Sequence, residues 1–185
     1  HPILWKKMLM EAGAGPSLPT VTIVTNSPSD PAGSAKWQRL KGAARDVAIG
    51  SDGTRFHIDT AKGSINLAPK GQDWRVLPGA AARISINGQL AWVVNASGQV
   101  FRWQNGKWVR VNGPAATDIG AGAGDNDVWI LAGKAEAADQ NIFRFTGSGW
   151  QQVSGGGARI AVTAGTPWIV NSKGEVWRMQ NNKWL

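Results

Sequence analysis

The sequence predicts an all-β fold, a β-propeller assembled from four similar blades. Tryptophan recurs at intervals of 37, 34, 42 and 34 residues, and each interval contains four short apolar segments separated by turn residues. No segment has the sustained i, i+3, i+4, i+7 apolar spacing of an amphipathic helix. Four strands in a repeat of about 40 residues indicate a propeller blade rather than a helical solenoid. The recurring tryptophans are Trp37, Trp74, Trp108, Trp150 and Trp184.

The first two segments of each repeat have distinct patterns. The first begins with tryptophan and ends with glycine, as in WRVLPG from Trp74 and WQQVSG from Trp150. The second alternates small and branched residues, which indicates a strand near the crowded axis of the ring. The small residues at its centre are Ala48, Ser85, Gly120 and Ala161.

The third and fourth segments carry the aromatic residues that we expect to pack between blades. The third is headed by Phe56, Trp92, Trp129 and Trp168. The fourth reads apolar, aromatic, Arg, apolar in VFRW, IFRF and VWRM, whereas the first repeat has Asn66 in the Arg position. Between these segments, the turns ending at Gly98 and Gly174 predict tight hairpins, because glycine adopts a positive φ without strain. We expect most tryptophans to lie in the core.

The motif WRVLPGAA, followed by RISIN and by AWVVNASGQVFRW, resembles the tectonin repeat of tectonin-type β-propeller lectins. The resemblance extends over residues 37–185 and is weaker in the first and third repeats. It implies that the first segment forms the outer strand of the blade before it, so that the blades run over 43–77, 80–111, 115–153 and 157–185. It also implies carbohydrate binding.

Residues 1–36 do not match the repeat. They are expected to form an N-terminal arm with a short helix over 5–11 and a strand over 20–25, packed on the propeller of residues 37–185. On the preferred arrangement, residues 20–25 and 37–40 form an incomplete fifth blade. The alternative is a four-bladed ring with the arm across it.

Composition narrows the class of protein. The chain of 185 residues has no cysteine, which excludes disulfides and thiolate sites, and its apolar runs are far shorter than the roughly 20 residues of a membrane span. The formal charge of +8 predicts anionic partners such as acidic glycans or lipopolysaccharide. Because the cations are scattered, nucleic acid is not expected. Low charge and 11 tryptophans suit a bacterial protein that is secreted or located at the cell surface or in the periplasm.

Candidate catalytic groups are few. His57 is expected to be structural, and most aspartates fall in turns, where they cap backbone hydrogen bonds. The stretches 51–54 and 124–127 resemble fragments of calcium loops but lack spaced acidic ligands, so we interpret them as turns. The sequence therefore predicts no enzymatic activity, no cofactor and no metal site.

The repeated arginines Arg102, Arg144 and Arg178 are the leading candidate ligand-binding residues. One guanidinium at the same place in successive blades creates equivalent sites for phosphate, carboxylate or sugar hydroxyls. Trp103 is a candidate platform for a sugar ring, and Asn105, Asn181 and Asn182 are candidates for additional hydrogen bonds. The alternative is that each arginine only stacks on an aromatic ring and holds blades together.

These observations predict a non-enzymatic lectin-like propeller that binds surface glycans at repeated sites between blades. The alternative function is that of a protein-interaction scaffold, or a subunit of a larger secretion or surface assembly with a protein partner.

Overall fold

The computed structural model describes residues 43–87, 90–133 and 139–185. Within these ranges the chain forms sixteen β-strands and no helix, and hence no helix with the length and apolarity to cross a membrane. The helix, strand and fifth blade expected within residues 1–40 lie outside the described residues.

The sixteen strands form four antiparallel sheets, each made of four consecutive strands. Blade 1 contains β1 (Ala44–Ile49), β2 (Arg55–Asp59), β3 (Ser64–Ala68) and β4 (Arg75–Ala80). Blade 2 contains β5 (Arg83–Asn87), β6 (Leu90–Val94), β7 (Val100–Gln104) and β8 (Lys107–Val111). Blade 3 contains β9 (Ala116–Ala121), β10 (Val128–Ala132), β11 (Gln140–Phe145) and β12 (Trp150–Gly157). Blade 4 contains β13 (Arg159–Thr163), β14 (Thr166–Val170), β15 (Val176–Gln180) and β16 (Lys183–Trp184).

The sheets are arranged as a four-blade β-propeller, which confirms the predicted fold class. The first strands of successive blades contact one another, β1 with β5, β5 with β9, and β9 with β13. The segments that begin at Trp74, Trp108, Trp150 and Trp184 supply the fourth, outer strands, as expected. Two of their indoles bind the preceding blade: Trp108 Nε1 donates to the Pro78 carbonyl at 2.9 Å, and Trp184 Nε1 donates to the Ser154 carbonyl at 2.7 Å.

Each blade has two faces, because side chains alternate along a strand. The leading face packs on the preceding blade; in blade 2 it includes Ile84 and Val93, which are buried against Phe56 and Ile58 of blade 1. The trailing face packs on the following blade. In blade 2 it includes Trp92, which is buried in one cluster with residues of blade 3. Interlocking apolar faces therefore form the core, and burial of each large side chain contributes about 2 to 3 kcal/mol.

The small residues of the first strands lie where the sequence predicted. Each is paired with the aromatic residue of the second strand, and the pairs are Ala48 with Phe56, Ser85 with Trp92, Gly120 with Trp129, and Ala161 with Trp168. The need for small residues is visible at Gly120, where a Cβ atom would lie 2.9 Å from Val162 Cγ2.

Three details of the sequence prediction are wrong or incomplete. Leu67, not Asn66, occupies the Arg position of blade 1, because Phe56 pairs with Leu67 as Trp92 pairs with Arg102. Most tryptophans are not fully buried, since the outer strands lie at the edge of each blade. Among the described tryptophans, Trp92 and Trp129 are buried, Trp74 and Trp177 are exposed, and Trp103, Trp108, Trp150, Trp168 and Trp184 are half-buried.

The third incomplete detail of the sequence prediction concerns the aspartates, which were expected mostly in turns. Asp59 caps its turn as predicted, because its carboxylate accepts hydrogen bonds from the backbone N–H groups of Lys62, Ser64 and Ala61. The bond from Lys62, followed by one from the Ser64 side chain, lowers the pKa of Asp59 to about 2. Asp46 and Asp118, however, lie in strands and are buried. Their carboxylates connect neighbouring blades, a role that a search for turns does not identify.

Candidate ligand-binding cleft

The three repeated arginines occupy equivalent positions on the third strands. Arg102, Arg144 and Arg178 pair with Trp92, Trp129 and Trp168, respectively. The Arg144 guanidinium carbon lies 5.6 Å from the centre of the Trp129 ring, and that of Arg178 lies 5.9 Å from Trp168. Both are cation–π contacts. The geometry thus supports the stacking alternative, and an arginine that stacks through its face can still present N–H groups at its edge.

One of these arginines lines a cleft between blades 3 and 4. Its volume is about 330 Å³, and its lining combines two apolar side chains with several hydrogen-bonding groups. Blade 3 supplies Trp129 and Arg144, and blade 4 supplies Gly165, Thr166, Met179, Gln180, Asn181 and Asn182. Of the predicted ligand-binding residues, the structure brings Arg144, Asn181 and Asn182 together in this cleft.

The two asparagines lie here because they form the turn between β15 and β16. Asn181 and Asn182 have φ values of 51° and 58°, in the left-handed region that asparagine tolerates better than most residues. The corresponding turn of blade 2 has Asn105 at φ 51° and Gly106 at φ 75°. Two consecutive residues with positive φ are typical of a tight two-residue hairpin. The asparagines therefore have a structural role, and at blade 4 that role also places them at the cleft.

Asp127 holds one wall of the cleft in place. One carboxylate oxygen accepts a hydrogen bond from Trp129 Nε1 at 3.3 Å, and the other accepts one from the backbone N–H of Gly165 at 2.9 Å. The carboxylate thereby fixes an indole of blade 3 relative to a turn of blade 4. This structural use of Asp127, like the cap that Asp52 forms on Thr54, supports the interpretation of both stretches as turns.

The other predicted residues lie apart from this cleft. Arg178 is exposed on the trailing face of blade 4. Arg102 is half-buried, and in the described part of the chain its Nε and Trp92 Nε1 are buried without a hydrogen-bond partner. Asn105 lies in the turn of blade 2.

Trp103 does not line this cleft. It follows Arg102 in the strand and so lies on the opposite face, where it packs against the core between blades 1 and 2 and forms a T-shaped contact with Trp108 at 4.8 Å. Trp129 is also covered, with 3% of its surface exposed, because Arg144 lies over its ring. The role of Trp103 as a platform for a sugar ring stays a prediction.

The sequence analysis missed Thr166, Met179 and Gln180. They come from blade 4, and which of its residues face Arg144 depends on the packing of two sheets, which a repeat alignment does not give. The sequence contains one indication of this wall of the cleft. Asn181 and Asn182 are two successive asparagines at the end of a strand, and they indicate a left-handed turn beside the strand that carries the repeated arginine.

His57 lies outside the cleft, in β2. Its ring makes a T-shaped contact with Trp74 at a centroid distance of 4.4 Å, and partial burial lowers its pKa below 6.5. Packing against Trp74 agrees with the structural role predicted for it.

No protein-family model and no curated protein sequence matches this chain. Solved structures share its fold at low sequence identity. Virginiamycin B lyase from Staphylococcus aureus, a catalytically inactive form with quinupristin, has a TM-score of 0.57 and 14% identity over 76% of this chain and 53% of its own. PorZ, a surface component of the type-IX secretion system of Porphyromonas gingivalis, has a TM-score of 0.51 and 14% identity over 72% of this chain and 19% of its own.

A complex of Kap60 with yeast RCC1 (Prp20) provides a further match, with a TM-score of 0.54 and 11% identity over 78% of this chain and 45% of the matched chain. The present chain thus spans about half or less of the length of these three structures. At such identities the likeness establishes the propeller fold alone.

Proposed function

We propose that this propeller is a non-enzymatic, carbohydrate-binding protein similar to the tectonin-type lectins, and that it recognises anionic glycans. The observation that carries the proposal is the juxtaposition of the Arg144 guanidinium with the turn residues Asn181 and Asn182 in one cleft between blades.

The chemistry of the cleft suits an acidic sugar. A guanidinium binds carboxylate or phosphate through paired N–H donors. The amides of Asn181, Asn182 and Gln180 both donate and accept, as sugar hydroxyls require, and Met179 offers an apolar contact. A volume of about 330 Å³ lies at the small end of ligand pockets and suits about one or two sugar rings. Because the tryptophan faces are covered, charge and hydrogen bonds supply the recognition.

The whole chain favours the same class of partner. Its formal charge of +8 attracts polyanionic surfaces such as lipopolysaccharide. Arg102 and Arg178 occupy the equivalent positions in other blades, so a weak site at one blade gains strength when several sites engage one glycan-covered surface. Such a partner implies a secreted, periplasmic or surface location.

A glycan array that includes lipopolysaccharide and acidic oligosaccharides tests the proposal. We expect wild-type protein to bind acidic glycans, Arg144→Ala to lose about tenfold in affinity, and the triple variant with Arg102→Ala and Arg178→Ala to lose more. Arg110→Ala removes an exposed arginine of β8 and is the matched control for net charge. Folded wild-type protein that binds no glycan, or equal losses in Arg144→Ala and Arg110→Ala, would reject the proposal.

A protein-interaction scaffold is the second candidate, as a subunit of a larger secretion or surface assembly. One observation favours it, the shared fold with PorZ, a secretion-system component. A specific protein partner that co-purifies with the chain, and that acidic glycans do not displace, would support this function over the first.

A further inference from the structure

The two ends of the blade series present faces that no blade covers among the described residues. Contacts between first strands connect β1 to β5, β5 to β9 and β9 to β13, but no comparable contact connects β13 to β1. Within residues 43–87, 90–133 and 139–185, the leading face of blade 1 and the trailing face of blade 4 therefore lack the neighbouring blade that every other blade face has.

On the trailing faces, one position of the third strand shows the difference directly. The equivalent residues are Ile65, Val100, Ile142 and Val176, each aligned with the second-strand residues Ile58, Val94, Leu131 and Val170. Ile65, Val100 and Ile142 are 1%, 2% and 0% exposed, whereas Val176 is 57% exposed. Blade 4 thus keeps the apolar residue that the other blades bury against a following blade.

The leading face of blade 1 shows the same difference. The first strands place Val47, Ile84, Ile119 and Ile160 at equivalent positions, each one residue before the small residue. Ile84, Ile119 and Ile160 are 2%, 0% and 1% exposed, whereas Val47 is 40% exposed. Val76, on the outer strand of the same face, is 69% exposed. Across the sheet, His57 and Asn66 separate Val47 from Val76, so this face has exposed apolar side chains on its first and fourth strands and polar ones between them.

We propose that the occupant of these faces is a second copy of the chain, with the trailing face of blade 4 packed on the leading face of blade 1 of the partner subunit. Every junction between the four described blades joins a trailing face to a leading face, and the described part of one copy leaves one of each uncovered. Two copies related by a two-fold axis satisfy both faces at once and close the assembly. The result is an eight-blade ring, within the usual range of about four to eight blades.

The charges of the first strands favour the same junction. Asp46, Arg83, Asp118 and Arg159 lie at equivalent positions and alternate in sign from blade to blade. Arg83 and Asp118 form an ion pair between blades 2 and 3, with an N–O distance of 3.6 Å. A junction of blade 4 with blade 1 places Arg159 next to an aspartate, and so continues the alternation around the ring.

The lengths of similar structures agree with this arrangement. The four blades match about half of the lyase chain and of the matched chain in the RCC1 complex, so this fold occurs in chains twice as long. The proposal rests on packing and does not depend on the proposed function.

Cysteine cross-linking tests the junction, because the natural chain has no cysteine. Ser85 Oγ accepts a hydrogen bond from Ala121 N at 2.9 Å across one junction, and a Cβ on Gly120 would lie 2.9 Å from Val162 across the next. The equivalent pair at the new junction is Ala161 and the partner subunit's Ile49. An oxidised mixture of Ala161→Cys and Ile49→Cys chains should form a covalent heterodimer, whereas Ala161→Cys mixed with Lys107→Cys should not.

Light scattering provides an independent measurement on the full 185-residue chain. We expect twice the chain mass of 19.7 kDa for wild type and for the control Gln104→Lys, and a single-chain mass for Val176→Lys. A monomeric wild type without the heterodimer product would overturn the proposal. So would an intrachain disulfide in the Ile49→Cys, Ala161→Cys double variant, since it would show that one chain closes its own ring or covers its own faces.

Discussion

The carboxylate of Asp118 in blade 3 accepts a hydrogen bond from the backbone N–H of Ile160 in blade 4 at 2.9 Å. The same bond joins blades 1 and 2, where Asp46 accepts from the N–H of Ile84 at 2.8 Å. Both carboxylates are buried. A buried aspartate on the first strand is therefore a connector that satisfies the backbone of the next blade and fixes the spacing of the two sheets.

Replacement of this connector should be costly. Asp118→Ala removes the acceptor of a buried N–H and the anion paired with Arg83, so we expect the free energy of unfolding to fall by about 1 to 3 kcal/mol. Urea denaturation followed by tryptophan fluorescence measures the change. Asp52→Ala, which removes an exposed turn cap, should lower the free energy of unfolding less. Equal decreases in the two variants would show that Asp118 contributes no more than a turn cap and does not connect the blades.

Gly120 should not tolerate a side chain, although Ala48 and Ala161 occupy the equivalent positions of blades 1 and 4. Its Cβ would lie 2.9 Å from Val162 Cγ2 and 3.2 Å from the Val162 backbone nitrogen, so blades 3 and 4 must separate. We expect Gly120→Ala to lower the free energy of unfolding by about 1 to 3 kcal/mol. Gly149→Ala, which meets no atom within 4 Å, is the control. Similar stabilities of the two variants would contradict the close approach.

Acid should weaken the fold through His57. Burial lowers the pKa of this side chain below 6.5, so near that pH the unfolded chain binds more protons than the folded chain. Stability then rises with pH up to about 6.5 and is lost as the pH falls below it. His57→Asn should flatten the dependence between about pH 5 and pH 7.5 in thermal unfolding. An unchanged slope would show that other groups cause it.

The variant Asn182→Gly distinguishes the role of Asn182 in the turn from its role in ligand binding. Glycine adopts positive φ more readily than asparagine, so the hairpin should be as stable as in wild type or more stable by a few tenths of a kcal/mol. Loss of the amide should weaken binding of an acidic glycan about fivefold, in proportion to one hydrogen bond. Calorimetric titration and thermal unfolding of the same sample measure both effects. Unchanged affinity would remove Asn182 from the site.

The sequence predicted the blades well because the two patterns that identify them, the tryptophan period and the alternation of side chains, can be recognised directly along the chain. The tryptophan period defines the outer strands, and alternation along each strand assigns residues to faces. Alternation alone would have separated Trp103 from Arg102, since adjacent residues in a strand point to opposite faces.

Other features depend on pairing between strands or sheets. Leu67 is the counterpart of Arg102 because the connection between β2 and β3 is longer than that between β6 and β7: Ile58 pairs with Ile65, whereas Val94 pairs with Val100. The buried positions of Asp46 and Asp118, and the approach of Met179 to Arg144, require the packing of two blades. These contacts have no signature within a single repeat.

The most direct test of the proposed function is a titration of ¹⁵N-labelled protein with the acidic glycan that binds best on the array, observed at the indole N–H of Trp129. Arg144 lies over the Trp129 ring, and the Trp129 indole N–H donates to Asp127. A ligand in the cleft should therefore shift the Trp129 indole resonance saturably, while the indole resonance of Trp103 stays fixed. Arg144→Ala should reduce the affinity about tenfold. Binding that leaves the Trp129 indole unchanged, or that persists in Arg144→Ala, would contradict the assignment of the cleft as the glycan site.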